Sequence, residues 1–170
     1  KILLTIWMAL IIVASFLYTE AAVGFPGQTS RILFFHVPQA WIATVSFLIS
    51  MVSSAVYLAK RNLRADHVAQ SAAELGFLFC ILATVTGSIF AKATWGSFWN
   101  WDPRETSIVI LLTIYGAYFA LRSAVSDPDR CRVLAAVYSI LAFVTVPFLV
   151  FVVPRITASL HPEDTMNPAK

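Results

Sequence analysis

The sequence predicts an all-α, polytopic transmembrane helical bundle, and three observations carry that prediction. Of 170 residues, 59% are hydrophobic and only 12% charged, with a mean hydropathy of +0.78, an apolar excess typical of membrane proteins rather than soluble domains. The apolar residues are grouped into five segments, roughly 2 to 18, 38 to 59, 68 to 91, 106 to 125 and 133 to 153, each near the ~20 residues a helix needs to cross the hydrocarbon core. The basic residues fall preferentially in alternate loops, as the positive-inside rule requires of a multi-pass protein.

Each segment has its own signals. The first is short and Lys1 is not a start methionine, so a clipped helix, or one extended by residues outside this sequence, is expected. No A-x-A cleavage site follows it, which argues against a signal peptide. The second carries Pro38 in its expected first turn and Ser46, Ser50 and Ser54 at four-residue spacing. The third carries Gly76, Cys80, Thr84 and Ser88 in one row and Ala83, Gly87 and Ala91 in another. Such spacing lines small side chains along one helix face, where backbones approach closely in lipid. The fourth opens with Asp102-Pro103-Arg104-Glu105, an N-cap aspartate, a proline at N1 and a glutamate at N3, the pattern of a capping box. Ser126-Asp127-Pro128 turns the chain into the fifth, which Pro147 should kink by removing a backbone donor. Loops are short and there is no repeat, so residues 1–170 read as a single integral membrane domain with one tryptophan-rich loop at about 92–105.

Orientation follows from the loop charges. Lys1, Lys60, Arg61, Arg64, Arg122, Arg130 and Arg132 share one side; Arg31, Lys92, Arg104, Arg155 and Lys170 lie on the other among acidic residues. The amino terminus is therefore expected in the cytoplasm and the carboxyl tail outside. The formal charge of +3 reflects this bias and gives no case for nucleic acid. Cys80, within a helix, and Cys131, placed in a cytoplasmic loop, do not read as a disulfide. With no C-x-x-C-H there is no covalent haem attachment to expect. No nucleophile-base pair, phosphate loop or H-E-x-x-H appears, so the chain does not read as an enzyme.

Residues 95–105, WGSFWNWDPRE, place three tryptophans, Phe98, two carboxylates and Arg104 in eleven positions. An aromatic belt at the bilayer interface explains single tryptophans such as Trp7 and Trp41, but not Trp95, Trp99 and Trp101 within seven residues. The predicted topology puts His36, just before the second helix, and His161, just after the fifth, on the same outer side as this loop. Either histidine alone reads as a capping or interfacial residue. The pair flanking an aromatic platform suits bis-histidine ligation of a haem iron. Asp102 and Glu105 have a sufficient explanation as caps; Arg104 suits a carboxylate, a lipid headgroup or a haem propionate. His67 reads as a solvated loop histidine, and Glu74 as a group that snorkels or pairs with Lys60 or Arg64.

The segment Trp95 to Asp102 resembles the WWD signature of the haem-handling proteins of cytochrome c biogenesis. Arg31-Ile32-Leu33-Phe34-Phe35-His36-Val37-Pro38 resembles the outer histidine segment of the haem exporter C (CcmC) branch, with Leu160-His161 where that family has its second outer histidine. The resemblance spans nearly the whole chain. It implies non-covalent haem b at the periplasmic face of a bacterial inner membrane, with His36 and His161 as axial ligands. Trp95, Phe98, Trp99, Trp101, Asp102 and Arg104 would form the platform. It further implies delivery to a periplasmic haem chaperone (CcmE-like) beside an ABC-type membrane complex, and a sixth spanning helix beyond the five seen. Two departures bear on the branch: Phe98 stands where the CcmC pattern has another tryptophan, and the continuation Asp-Pro-Arg-Glu-Thr looks more like the related CcsA or ResC branch, the membrane core of a cytochrome c synthase.

Overall fold

Orphan amides at helix starts are satisfied here by Asn and Asp side chains, which sets where the helices begin. In the computed structural model, which describes residues 2–18 and 28–160, the Asn62 side chain accepts from the Arg64 amide, Asp102 from that of Arg104 and Asp127 from that of Arg130. The elements are α1 (Ile2–Leu17), a 3-10 turn (Thr29–Ile32), α2 (Leu33–Lys60), α3 (Leu63–Trp95), α4 (Pro103–Ala124), α5 (Pro128–Pro147), a π segment (Phe148–Val152) and the short α6 (Val153–Ile156). The described residues contain no strand. Four helical stretches, 29–60, 63–95, 103–124 and 128–156, are long and apolar enough to cross a membrane, whereas α1 has 16 residues. The all-α transmembrane architecture is as the sequence predicts.

Several boundaries differ from the sequence reading. α2 begins at Leu33, so Pro38 lies inside the helix and His36 is a residue of it. The 3-10 turn winds the chain before Pro38, whose missing amide then costs one hydrogen bond next to the helix start. Cys131 is a buried residue of α5 rather than of a loop, because Asp127 and Pro128 open that helix earlier. The irregular tryptophan-rich stretch narrows from 92–105 to 96–102, as Lys92–Trp95 extend α3 and Pro103–Glu105 open α4. Pro147 acts as expected: the i→i+5 segment starts at the residue after it, where the proline has removed a regular donor.

α2 packs on α3 and α5, and α4 on the same two, giving an up-down-up-down ring of four helices. The rows of small residues form its tightest seam. Ser46, Ser50 and Ser54 of α2 and Gly76, Cys80, Ala83 and Ala91 of α3 are buried. Phe47 closes over Gly76 and stacks on Tyr115 of α4 at 3.6 Å between ring centroids and 15° between planes, bridging the ring diagonally. Polar groups are paired across helices. The Ser50 and Ser139 hydroxyls meet at 3.0 Å, and the Tyr138 hydroxyl donates to the Ile114 carbonyl at 2.9 Å.

One end of the bundle is joined by charge. Asp66 of α3, buried, accepts from both Arg122 guanidinium nitrogens at 3.0 and 3.1 Å; Arg122 also donates to the Tyr118 hydroxyl, and the Arg132 Nε lies 3.8 Å from the same carboxylate. The bidentate pair ties α3 to α4, and Arg132 brings α5 against the same carboxylate. Glu74, by contrast, accepts from Gln70 at 2.9 Å. α1 is tied to the bundle at its C-terminal end: Phe16 stacks on Phe35 at 6.4 Å, and Arg31 donates to the Phe16 carbonyl.

The seam yields a paired prediction. A Cβ at Gly76 would stand 2.5 Å from Phe47 Cε1, and Phe47 is pinned by Tyr115, so Gly76→Ala should destabilise the solubilised protein by about 1–3 kcal/mol. The Tyr115 hydroxyl is buried without a hydrogen-bond partner, so Tyr115→Phe should leave stability unchanged or raise it by up to about 1 kcal/mol. Thermal unfolding in detergent checks both, and a marked loss for Tyr115→Phe contradicts the orphaned hydroxyl.

Candidate functional site

The antiparallel ring brings the 3-10 turn, the start of α2, the end of α3, the 96–102 stretch, the start of α4 and α6 to one end. α3 stops at Gly96, whose φ of +81° a side chain would resist; its amide bonds the Lys92 carbonyl, and the Lys92 Nζ donates to its own carbonyl at 2.8 Å. The Lys92 ammonium also lies 5.5 Å over the Phe98 ring. Trp95, still helical, meets Phe90 edge-on at 5.7 Å. Trp99 and Trp101 meet at right angles, 5.8 Å apart.

Trp101 holds a left-handed φ of +55°, which for a bulky residue costs on the order of 1 kcal/mol. The amides on either side of it explain why it is tolerated. Asn100 and Asp102 both donate to Glu105 Oε2, at 2.7 and 3.2 Å, and the chain must fold back at Trp101 for both to reach one oxygen. The indole is thereby pushed outward, 72% exposed. Phe98 is 59% exposed, so two of the three loop aromatics face away from the protein, while Trp99, like Trp95 at the end of α3, is half-buried.

Asp102 does more than cap. One carboxylate oxygen accepts from the Arg104 amide at 3.0 Å; the other accepts from the Ser159 hydroxyl at 2.8 Å and the Leu160 amide at 2.7 Å. The side chain is buried, with the residue 4% exposed. It belongs to the frame that fixes the chain leading into residue 161, and its oxygens are already engaged. His161 itself lies outside the described residues.

His36 is half-buried on α2, its ring lying over Gly87 of α3: a Cβ there would be 2.9 Å from His36 Cε1. Its Nδ1 is 3.0 Å from the Thr86 hydroxyl. Arg104 is near enough to act electrostatically on His36, and Asp102 and Arg155 on Arg104. The predicted residues therefore gather in two groups at one end: the aromatic loop with Asp102, and His36 with its α3 contacts, linked through the neighbourhood of Arg104. Sequence reasoning did not single out Thr86, Ser159 or Arg155, or the part Glu105 plays in presenting Trp101. Thr86 resembles any threonine bonding back to its own helix, and Ser159 is 57 residues from its partner.

Comparison with known proteins gives one consistent result. The family described as Heme exporter protein C matches residues 2–169. A Heme exporter protein C of Bradyrhizobium diazoefficiens is 36% identical over 141 residues, 83% of this chain and 54% of that protein. That of Paracoccus denitrificans is 39% identical over 111 residues, 65% of this chain and 46% of its own length. A putative cytochrome c biosynthesis ccmC-like mitochondrial protein of Marchantia polymorpha is 32% identical over 125 residues, covering 74% and 52%. The chain spans about half the length of these curated relatives.

The double engagement of Asp102 can be separated by substitution. Asparagine keeps one acceptor oxygen for the cap but turns an NH2 group toward the Ser159 hydroxyl and the Leu160 amide. Asp102→Asn should therefore leave α4 intact while amide exchange at Leu160 rises about tenfold or more, the loss of one charge-assisted bond; Asp102→Ala should also fray the first turn of α4. Equal protection at Leu160 in wild type and Asp102→Asn would count against the clasp.

Proposed function

The chain belongs to the haem exporter protein C family, and on that premise we propose that it holds haem non-covalently at the periplasmic face of a bacterial inner membrane and passes it to a periplasmic haem chaperone. The observation that carries this reading is the meeting at one end of the bundle of an imidazole seated on glycine, an outward aromatic loop and a carboxylate that fixes the chain one residue before His161. Haem is a flat apolar disc with a metal at its centre and carboxylates at one edge. Neutral imidazoles supply axial ligands, aromatic faces cover the disc, and arginine pairs with propionates.

In this reading His36 and His161 are the axial ligands, and Trp95, Phe98, Trp99 and Trp101 provide the platform. Arg104 offers a guanidinium to a propionate. Asp102 has a different part from that of a platform residue in contact with haem: it caps α4 and holds the Ser159–Leu160 segment. Haem is cargo here, to be bound and released; no step requires the chain to make or break a covalent bond. The membrane side is argued from charge, since the end opposite the aromatic loop carries Arg61, Arg64, Arg122, Arg130 and Arg132 and is the cytoplasmic one by the positive-inside rule. An ABC-type membrane complex is the expected neighbour.

The test is one absorption spectrum, oxidised and reduced, of the detergent-purified protein. A low-spin bis-histidine haem is expected, with retention falling at least tenfold in His36→Ala or His161→Ala. Trp99→Leu with Trp101→Leu should weaken retention without changing the ligand spectrum. Full haem occupancy in both histidine variants would falsify the ligand assignment. Attachment of haem to a C-x-x-C-H peptide by the protein alone would favour the synthase reading instead.

A further inference from the structure

Thr86 of α3 sits where a single proton has several claimants. Its hydroxyl lies 2.9 Å from the Leu82 carbonyl, 3.2 Å from the Ala83 carbonyl and 3.1 Å from Gln39 Oε1, and 3.0 Å from His36 Nδ1. Backbone carbonyls only accept, and a hydroxyl has one proton and two lone pairs. With the proton directed back along α3, as threonines in helices commonly place it, a lone pair of Oγ1 faces the imidazole. The ring nitrogen opposite must then be the donor.

We propose that Thr86 is a positioning residue for His36, its hydroxyl accepting the Nδ1–H and so holding the tautomer in which the Nε2 lone pair is free to meet a metal. The iron-ligand part rests on the haem reading above. Gly87 completes the seat, since any side chain there would crowd the ring, and the α2–α3 seam fixes how far the imidazole stands from α3. Ligating histidines generally donate their other N–H to a fixed acceptor, which sets ring orientation and raises the basicity of the ligand. Thr86 supplies that acceptor from the neighbouring helix.

Two measurements separate this inference from the haem reading. In the full chain without haem, with 15N-labelled histidine and His36→Asn to assign the resonances, His36 should show the Nδ1–H tautomer. Thr86→Val, which keeps the shape and removes the hydroxyl, should lose that bias, and Thr86→Ser should restore it. In the haem-loaded protein Thr86→Val should weaken retention about 10- to 100-fold and move the haem midpoint potential upward, with Thr86→Ser returning both; a merely structural role would leave the potential in place. An Nε2–H tautomer at His36 in the wild-type apoprotein overturns the proposal even if haem binds. Unchanged retention and potential in Thr86→Val, where His36→Ala abolishes haem binding, overturns it as well. Haem binding unaffected by His36→Ala removes the haem reading, and with it the role of Thr86 toward iron, while the tautomer measurement still reports the hydrogen bond.

Discussion

The close approach of α2 to α3 is the constraint on which the rest depends. Helices in lipid gain little from burying apolar surface against each other, so contact must come from dispersion between backbones brought near. Here that nearness comes from Gly76 under Phe47 at one level and Gly87 under His36 at another, while Ser46, Ser50 and Ser54 of α2 are buried, Ser50 against Ser139 of α5. Packing and candidate chemistry thus use the same device. The imidazole lies close over α3 because a glycine leaves room for it, and it reaches Thr86 because the seam is tight along its length.

Carboxylates organise both ends of the bundle, in different ways. At one end Asp66 is held by Arg122 and approached by Arg132. Removing one member of such a buried pair leaves an uncompensated charge, at a cost of about 3–5 kcal/mol. At the other end Asp102 and Glu105 direct their oxygens to amides and a hydroxyl. Glu105 gathers the two amides flanking Trp101 and Asp102 gathers the first turn of α4 with the Ser159–Leu160 segment. Where water is scarce these backbone donors need such acceptors. Supplying them from side chains lets a non-helical loop persist beside the apolar helices.

Much of this was legible in the chain itself, because the signals are local. Helix number follows from apolar length, the seam from four-residue spacing of small residues, and the start of α4 from Asp102-Pro103-Arg104-Glu105, a capping box complete in the structure. Local signals also misled where two competed. Pro38 reads as a helix start, yet the 3-10 turn from Thr29 carries the winding past it and takes His36 into α2. Asp127 and Pro128 outweigh the charged run after them and draw Cys131 into α5. What could not be read were contacts between residues far apart in sequence: Asp66 with Arg122, 56 residues away, Thr86 with His36, 50 away, and Asp102 with Leu160, 58 away. Each pairs ordinary residues whose types and spacing reveal nothing until the helices are packed.

The two ends therefore differ in how readily they can yield. Opening the Asp66 end means parting a bidentate ion pair between α3 and α4 that Arg132 of α5 also approaches, which resists local motion. Opening the other end means releasing neutral donors, the Ser159 hydroxyl and the Leu160 amide, from Asp102, and where the Glu105 contacts also part, relaxing Trp101 from its left-handed conformation repays part of that cost. Local excursions should thus concentrate at the loop and the segment leading to His161, while the four-helix ring stays closed behind them. Under the proposed haem reading, this asymmetry places a rigid wall, with His36 of α2 seated against Gly87 of α3, opposite the end that opens more readily.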